Sequence, residues 1–116
     1  MKVNHINLTV DDVAGARRLL EKHFGLQAPY AGKKNFDVLF DDEGMVVTLI
    51  GIGRRKVVEY PETFHIGFIQ PTNEDVDEVN RRLREDGYDV EPPSRQHGAW
   101  TFYFEAPGGF TVEVLC

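Results

Sequence analysis

The chain has 116 residues, 41% hydrophobic and 28% charged, with eight Phe, four Tyr and one Trp, a one-domain length and globular balance that exclude a disordered, collagen-like or disulfide-scaffold protein. Thirteen Lys and Arg against nineteen Asp and Glu leave a net charge of −6, which sets nucleic acid aside as a partner because nothing offers the phosphate backbone a basic surface. No apolar run approaches the roughly 18 residues of a membrane span, and the lone Cys116 has no partner for a disulfide or a CxxC site, so a cytoplasmic protein without membrane contact is expected.

In chain order, the first strand alternates, with Asn4, Ile6, Leu8 and Val10 on one side and Val3, His5, Asn7 and Thr9 on the other. Asp11 and Asp12 then open a helix whose stripe is Val13, Ala16, Leu20 and Phe24 and whose stop is Gly25. His23 near its end suits the helix dipole and needs no functional role. A hairpin follows, Phe36 to Phe40 and Met45 to Ile50 about the turn Asp41-Asp42-Glu43-Gly44. Residues 53–62 join this half to the next and carry the densest positive run, Arg54-Arg55-Lys56, a candidate for steering an anionic substrate.

The pattern then repeats. His65-Ile66-Gly67-Phe68 restates His5-Ile6-Asn7-Leu8, with Phe64, Ile66 and Phe68 opposite His65, Gly67 and Ile69. Thr72 and Asn73 start a second helix with stripe Val76, Val79 and Leu83, and Gly87 ends it; its charges read as a solvated face. After Pro92-Pro93 and the segment Arg95-Gln96-His97-Gly98, a second hairpin runs from Trp100 to Phe104 and from Phe110 to Leu115. Its turn, Ala106-Pro107-Gly108-Gly109, lacks the Lys-Ser/Thr tail and following helix of a phosphate loop. The fold class is therefore α+β: one domain of two tandem βαβββ modules, 1–52 and 63–116, whose mixed or antiparallel sheets curve around a cleft.

Alternation turns His5, His65 and Glu113 away from the apolar faces. Two neutral imidazoles and a carboxylate suit one divalent metal, Zn, Ni, Mn, Fe or Co, and three ligands leave positions open for water or substrate. An inward Glu between Val112 and Val114 would otherwise be a costly unpaired carboxylate. On the strand from Trp100, parity sets Thr101, Tyr103 and Glu105 against Trp100, Phe102 and Phe104. Tyr103 is placed to donate a hydrogen bond, His97 is a candidate acid or base beside Gly98, and Asn7, Arg95, Trp100 and Thr111 are candidate substrate contacts.

The paired modules, His5, His65 and the closing run Phe102-Tyr103-Phe104-Glu105-Ala106-Pro107-Gly108-Gly109-Phe110-Thr111-Val112-Glu113-Val114 resemble the vicinal oxygen chelate superfamily over essentially the whole chain. That superfamily includes glyoxalase I, fosfomycin resistance thiol transferases, methylmalonyl-CoA epimerase, extradiol dioxygenases and bleomycin resistance proteins. The resemblance puts His5, His65 and Glu113 on three of four metal-ligand positions and Thr48, the repeat partner of Glu113, on the fourth. Thr48 thereby joins the candidate substrate contacts; its hydroxyl is no base at neutral pH, which argues against standard glyoxalase I chemistry. The chain is shorter than the usual dioxygenases. The resemblance implies a metal-dependent lyase, isomerase or thiol transferase acting on a small oxygen-chelating substrate, and a homodimer in which His5 meets His65 and Glu113 across chains. Its alternatives are a dioxygenase-like oxidoreductase and a metal-free drug-sequestering protein of the bleomycin resistance type, in which Tyr30, Trp100 and Tyr103 would line the cleft.

Overall fold

The computed structural model describes residues 1–53 and 57–116; Arg54-Arg55-Lys56 lies outside the described residues. The chain forms two compact units, Met1–Tyr60 with Pro107–Phe110, and Pro61–Ala106 with Thr111–Cys116.

The first unit holds β1 (His5–Val10), α1 (Val13–Phe24), β2 (Phe36–Phe40) and β3 (Val46–Gly51). The sheet order is β1-β3-β2, with β1 parallel and β2 antiparallel to β3. The Asp12 carboxylate caps α1 by accepting from the Gly15 N–H at 2.9 Å, and Gly25, in the left-handed region, closes it through a bond to the Leu20 carbonyl. The helix packs on β2 and β3, and its Ala16, Leu19 and Leu20 are fully buried, as are Leu8, Val10, Leu39 and Leu49 of the sheet. Each of those Leu contributes about 2 kcal/mol. A polar pair sits in the same layer: Arg17 Nη1 donates to Oδ2 of Asp37 at 2.8 Å, and the Asp37 side chain is wholly buried. His23, read from sequence as an ornament of the helix end, is buried. The turn at Pro107–Phe110 belongs to this unit as well. Asp11 N–H donates to the Gly108 carbonyl, and a Cβ at Gly108 would lie 2.9 Å from Val10 Cβ at a φ of +103°, so only glycine fits.

Expected as βαβββ, this module carries one strand fewer. In place of a further strand stands a single bridge between Gln27 and Phe40. Pro29, which has no N–H to give a ladder, and Gly32, with φ +115°, break the segment between Gln27 and β2.

The second unit is a full βαβββ module: β4 (His65–Ile69), α2 (Asn73–Glu85), β5 (Ser94–Gln96), β6 (Ala99–Ala106) and β7 (Phe110–Leu115) in the order β4-β7-β6-β5. Thr72 caps α2 by accepting from Asp75 N–H. Val76, Val79 and Leu83 are buried, as are Phe102, Phe104, Val112 and Val114 on the sheet face that α2 covers. On the outer face of α2, Arg81 pairs with Glu78 and Glu85, which is the solvated charge pattern the sequence indicated. Among the described residues no helix is long and apolar enough to cross a membrane.

Candidate functional site

Strand registers decide which side chains can meet. In the second unit β4 runs parallel to β7 with Gly67 beside Glu113 and His65 beside Thr111. Trp100 and Cys116 exchange both backbone hydrogen bonds, and counting back along this antiparallel pair sets Tyr103 opposite Glu113. The open face of the sheet therefore gathers His65, Thr101, Tyr103, Thr111 and Glu113, as alternation requires.

Glu113 is the centre of this group. It is 5% exposed, and a carboxylate that deep stays charged only if donors satisfy it. They do. Thr101 Oγ1 donates to Oε1 at 2.8 Å, and His97 Nε2 lies 2.9 Å from the same oxygen. The Tyr103 hydroxyl, 3.0 Å from His97 Nε2, is also hydrogen-bonded to Glu113. Burial drives the Glu113 pKa up, but the bonds from Tyr103, Thr101 and His97 and the charge of His97 outweigh it, leaving the carboxyl below its ordinary value. Tyr103 moves the other way. Burial, then its bond to the Glu113 carboxylate and that charge, raise its pKa, so its hydroxyl keeps its proton.

His65 approaches the other oxygen. Its Nδ1 lies 2.9 Å from the Thr63 carbonyl, which only accepts, so Nδ1 carries a proton and Nε2 is the nitrogen left to face Glu113. That nitrogen faces Glu113 Oε2 at 3.2 Å. A nitrogen and a carboxylate oxygen so close need a proton or a cation between them. The ring edge of His65 also meets Tyr103, with centroids 5.4 Å apart. Gly67 leaves room beside the pair: a Cβ there would stand 4.0 Å from Oε2.

His97 reaches the group from a strained position. Gln96 pairs with Ala99, so His97 and Gly98 form a two-residue turn, and both have positive φ, +39° and +83°. Such turns favour Asn-Gly. His97 is the one non-glycine with positive φ among the described residues, at a cost of about 1 kcal/mol.

Some sequence-predicted residues lie elsewhere. Trp100 turns to the α2 side, where its Nε1 donates to Asp77 Oδ1 at 2.7 Å and Arg95 stacks 5.7 Å from its ring. Arg95 and Trp100 are cross-strand partners, on the face opposite Thr101 and Tyr103. Tyr30 is 65% exposed in the first unit. His5, Asn7 and Thr48 share one face of the first sheet, with Asn7 beside Thr48 in register, and His5 Nδ1 lies 2.8 Å from Asn4 Oδ1. Among the described residues no group of three or more His, Cys, Asp or Glu side chains is arranged to hold a metal ion; His65 and Glu113 supply two donors, His5 stands in the first unit, and His97 addresses Oε1. Thr101, absent from the sequence-predicted site, is its most buried polar group. Its parity with Tyr103 was the available signal.

A family model described as Glyoxalase/Bleomycin resistance protein/Dioxygenase superfamily matches residues 2–114. A solved structure from Bacillus cereus, described as a possible glyoxalase, is 52% identical, covering 100% of this chain and 99% of that one at a TM-score of 0.89. A lactoylglutathione lyase from Agrobacterium tumefaciens is 19% identical, over 98% of this chain and 92% of that one, at a TM-score of 0.76. A glyoxylase/bleomycin resistance protein/dioxygenase domain from Frankia sp. EAN1pec is 20% identical, over 99% and 90%, at 0.80. These last two share the fold. No curated protein matches the chain.

Proposed function

Because the chain belongs to the Glyoxalase/Bleomycin resistance protein/Dioxygenase superfamily, we propose that it is a metal-dependent enzyme of that fold acting on a small oxygen-chelating substrate, as a lyase, isomerase or thiol transferase. One observation carries the proposal: His65, whose Nδ1 lies 2.9 Å from the Thr63 carbonyl, turns its Nε2 toward a Glu113 oxygen at 3.2 Å. An imidazole with its far nitrogen tied to a carbonyl, beside a hydrogen-bonded carboxylate, is a fitting donor set for a divalent ion such as Zn, Ni, Mn, Fe or Co. His65, Glu113 and His5 would hold it, and when bound it supplies Lewis-acid stabilisation of negative charge on the substrate's neighbouring oxygens.

The protein's own groups do the rest. Thr101, His97 and Tyr103 keep Glu113 ionised, and Tyr103 retains a hydroxyl proton for hydrogen bonding to an anionic oxygen. His97, half exposed at 3.0 Å from that hydroxyl, is the group placed to exchange a proton with substrate at the rim. Thr48 and Asn7 offer hydrogen bonds without basicity, so a glyoxalase I reaction relying on a base at position 48 is not proposed. Thr111, beside His65, completes the polar wall.

His5 is exposed on β1, an outer strand of its sheet. Its place in the site is assigned to a cytoplasmic homodimer in which His5 of one copy joins His65 and Glu113 of the other. Metal analysis of untagged protein tests the reading. Wild type should carry close to one equivalent per chain and His65→Ala a trace; equal traces in both would leave a metal-free binding protein.

A further inference from the structure

The first sheet has a second face, away from α1. Asp37, Leu39, Val47 and Leu49 are buried on the helix side, so alternation turns Phe36, Val38 and Phe40 of β2 and Val46, Thr48 and Ile50 of β3 the other way. In register, Phe36 stands beside Ile50, Val38 beside Thr48 and Phe40 beside Val46. Five of these six are apolar. Phe36 and Ile50 are exposed, at 37% and 38%, and the other four are half-buried. His5, Asn7 and Thr9 of β1, beside Val46, Thr48 and Ile50, give this apolar strip a polar margin. From Phe36 to Phe40 the strip is about 13 Å long, and one strand spacing, about 5 Å, makes its width.

Charge distinguishes the two ends of the face. None of its nine strand residues is acidic, in a chain with nineteen Asp and Glu. At the Phe36 end, Lys33 holds its Nζ 5.7 Å from the Phe36 ring centroid, and Lys34 follows it in sequence. At the Phe40 end the chain enters Asp41-Asp42-Glu43. An anion on this face is therefore drawn to the Phe36 end and repelled from the other.

We propose that this face seats a small aromatic carboxylate. Its rings lie along the apolar strip, its carboxylate meets Lys33 beside Phe36, and its remaining polar atoms reach Asn7 and Thr48. Phe36 offers a ring for an offset or edge contact, with the cation that neutralises the ligand already over it. The inference deepens the proposed function by assigning the substrate a chemical class, and it rests on that reading only for taking the open side of the sheet as the substrate side. No metal enters it.

The test uses full-length protein stripped of metal with chelator, and three probes of one shape: naphthoate, naphthamide and naphthylmethylammonium. Equilibrium dialysis gives their Kd values for wild type, Lys33→Gln and Phe36→Ser. Wild type should bind naphthoate about 5-fold more tightly than the amide, the scale of one exposed ion pair, and the cation most weakly. Lys33 is exposed, so Lys33→Gln leaves folding intact, and it should erase the preference for naphthoate while leaving the amide unchanged. Phe36→Ser should weaken both by about 10-fold, with a urea transition confirming that it is folded. Equal Kd values for the three probes, or a preference that survives Lys33→Gln, would overturn the inference. So would a wild type that binds none of them, including one that sediments as a dimer and becomes a monomer in Phe36→Ser, which would give the face to a second copy. Failure of the metal reading shows separately, in metal analysis, and leaves these Kd values as they are.

Discussion

The two units share a parallel strand pair, β1–β3 in one and β4–β7 in the other, with different chemistry on it. Asn7 lies beside Thr48 in the parallel pair β1–β3, and Gly67 lies beside Glu113 in β4–β7, so His5 and His65 occupy equivalent places two residues earlier. In the second unit the partner position holds a buried carboxylate served by three side-chain donors. In the first it holds a half-buried hydroxyl with an amide beside it, and the ring of His5 turns to Asn4. The repeat supplies the geometry of a ligand pair twice; charge and the donors that stabilise it are present once. A βαβ scaffold therefore determines where a ligand would stand, and the open-face residues decide whether one does.

The largest expected effect breaks that asymmetry at its centre. Glu113→Gln keeps the shape and the Thr101 contact but removes the charge, and should lower metal affinity by more than the roughly 100-fold that losing an outer partner costs. Thr48→Val, the equivalent change in the first unit, should leave affinity within about 3-fold by the same outer-partner scale. Chelator competition on both variants checks the contrast, and comparable losses would show that the first unit ligates too. Next is a change confined to the first unit. Arg17→Met strands the Asp37 carboxylate, whose side chain is wholly buried and whose Oδ1 has no partner among the described residues. Breaking such a pair costs about 3 kcal/mol, read as a lower urea midpoint, and Arg17→Met with Asp37→Leu should recover most of it.

Much of this was legible before any coordinates. Alternation placed Leu8 and Val10 inside and His5 and Asn7 outside; Asp12, Gly25 and Thr72 marked helix ends because their side chains or backbone freedom serve unpaired N–H and C=O groups. His65 and Glu113 were legible because the repeat aligned them. Thr101 was not, since a threonine in a strand is ordinary until the β6–β7 register sets it against a carboxylate. The parity of Trp100 with Phe102 and Phe104 puts it on the α2 side, where its Nε1 donates to Asp77. The missing strand of the first module follows from Pro29 and Gly32, whose effect on a ladder depends on which neighbour the segment would have paired with. Family membership reached the whole chain, and the choice of reaction rests on side chains the family varies.

A smaller effect follows from acid. The folded Glu113 carboxyl titrates below its ordinary 4.5, so the unfolded chain takes up the proton first as pH falls. Its contribution to stability is complete above 4.5 and disappears as pH drops through the folded value. In metal-free protein, the stability difference between wild type and Glu113→Gln should therefore decline with falling pH below 4.5 and be flat above it. Urea midpoints across that range provide the check, and a difference that grows on acidification would mean the donors do not hold the charged form.

The smallest effect sets a relaxed turn against a lost hydrogen bond. Among the described residues the other positive-φ positions, Gly44 and Gly108 included, are glycines that adopt the conformation without a Cβ penalty. His97 alone accepts it with a full side chain. Asn tolerates that region better, so His97→Asn should recover a few tenths of a kcal/mol in the turn and lose about 1 kcal/mol with the bond to the buried Glu113 carboxylate, a small net loss of stability, while weakening metal binding. The reason lies in where each free energy is spent: the turn would gain from a relaxed backbone, but the asparagine amide is too short to reach Oε1 from a turn where the imidazole Nε2 reaches it at 2.9 Å. A variant more stable than wild type would instead mean that the His97 ring adds nothing to holding Glu113 in its charged form.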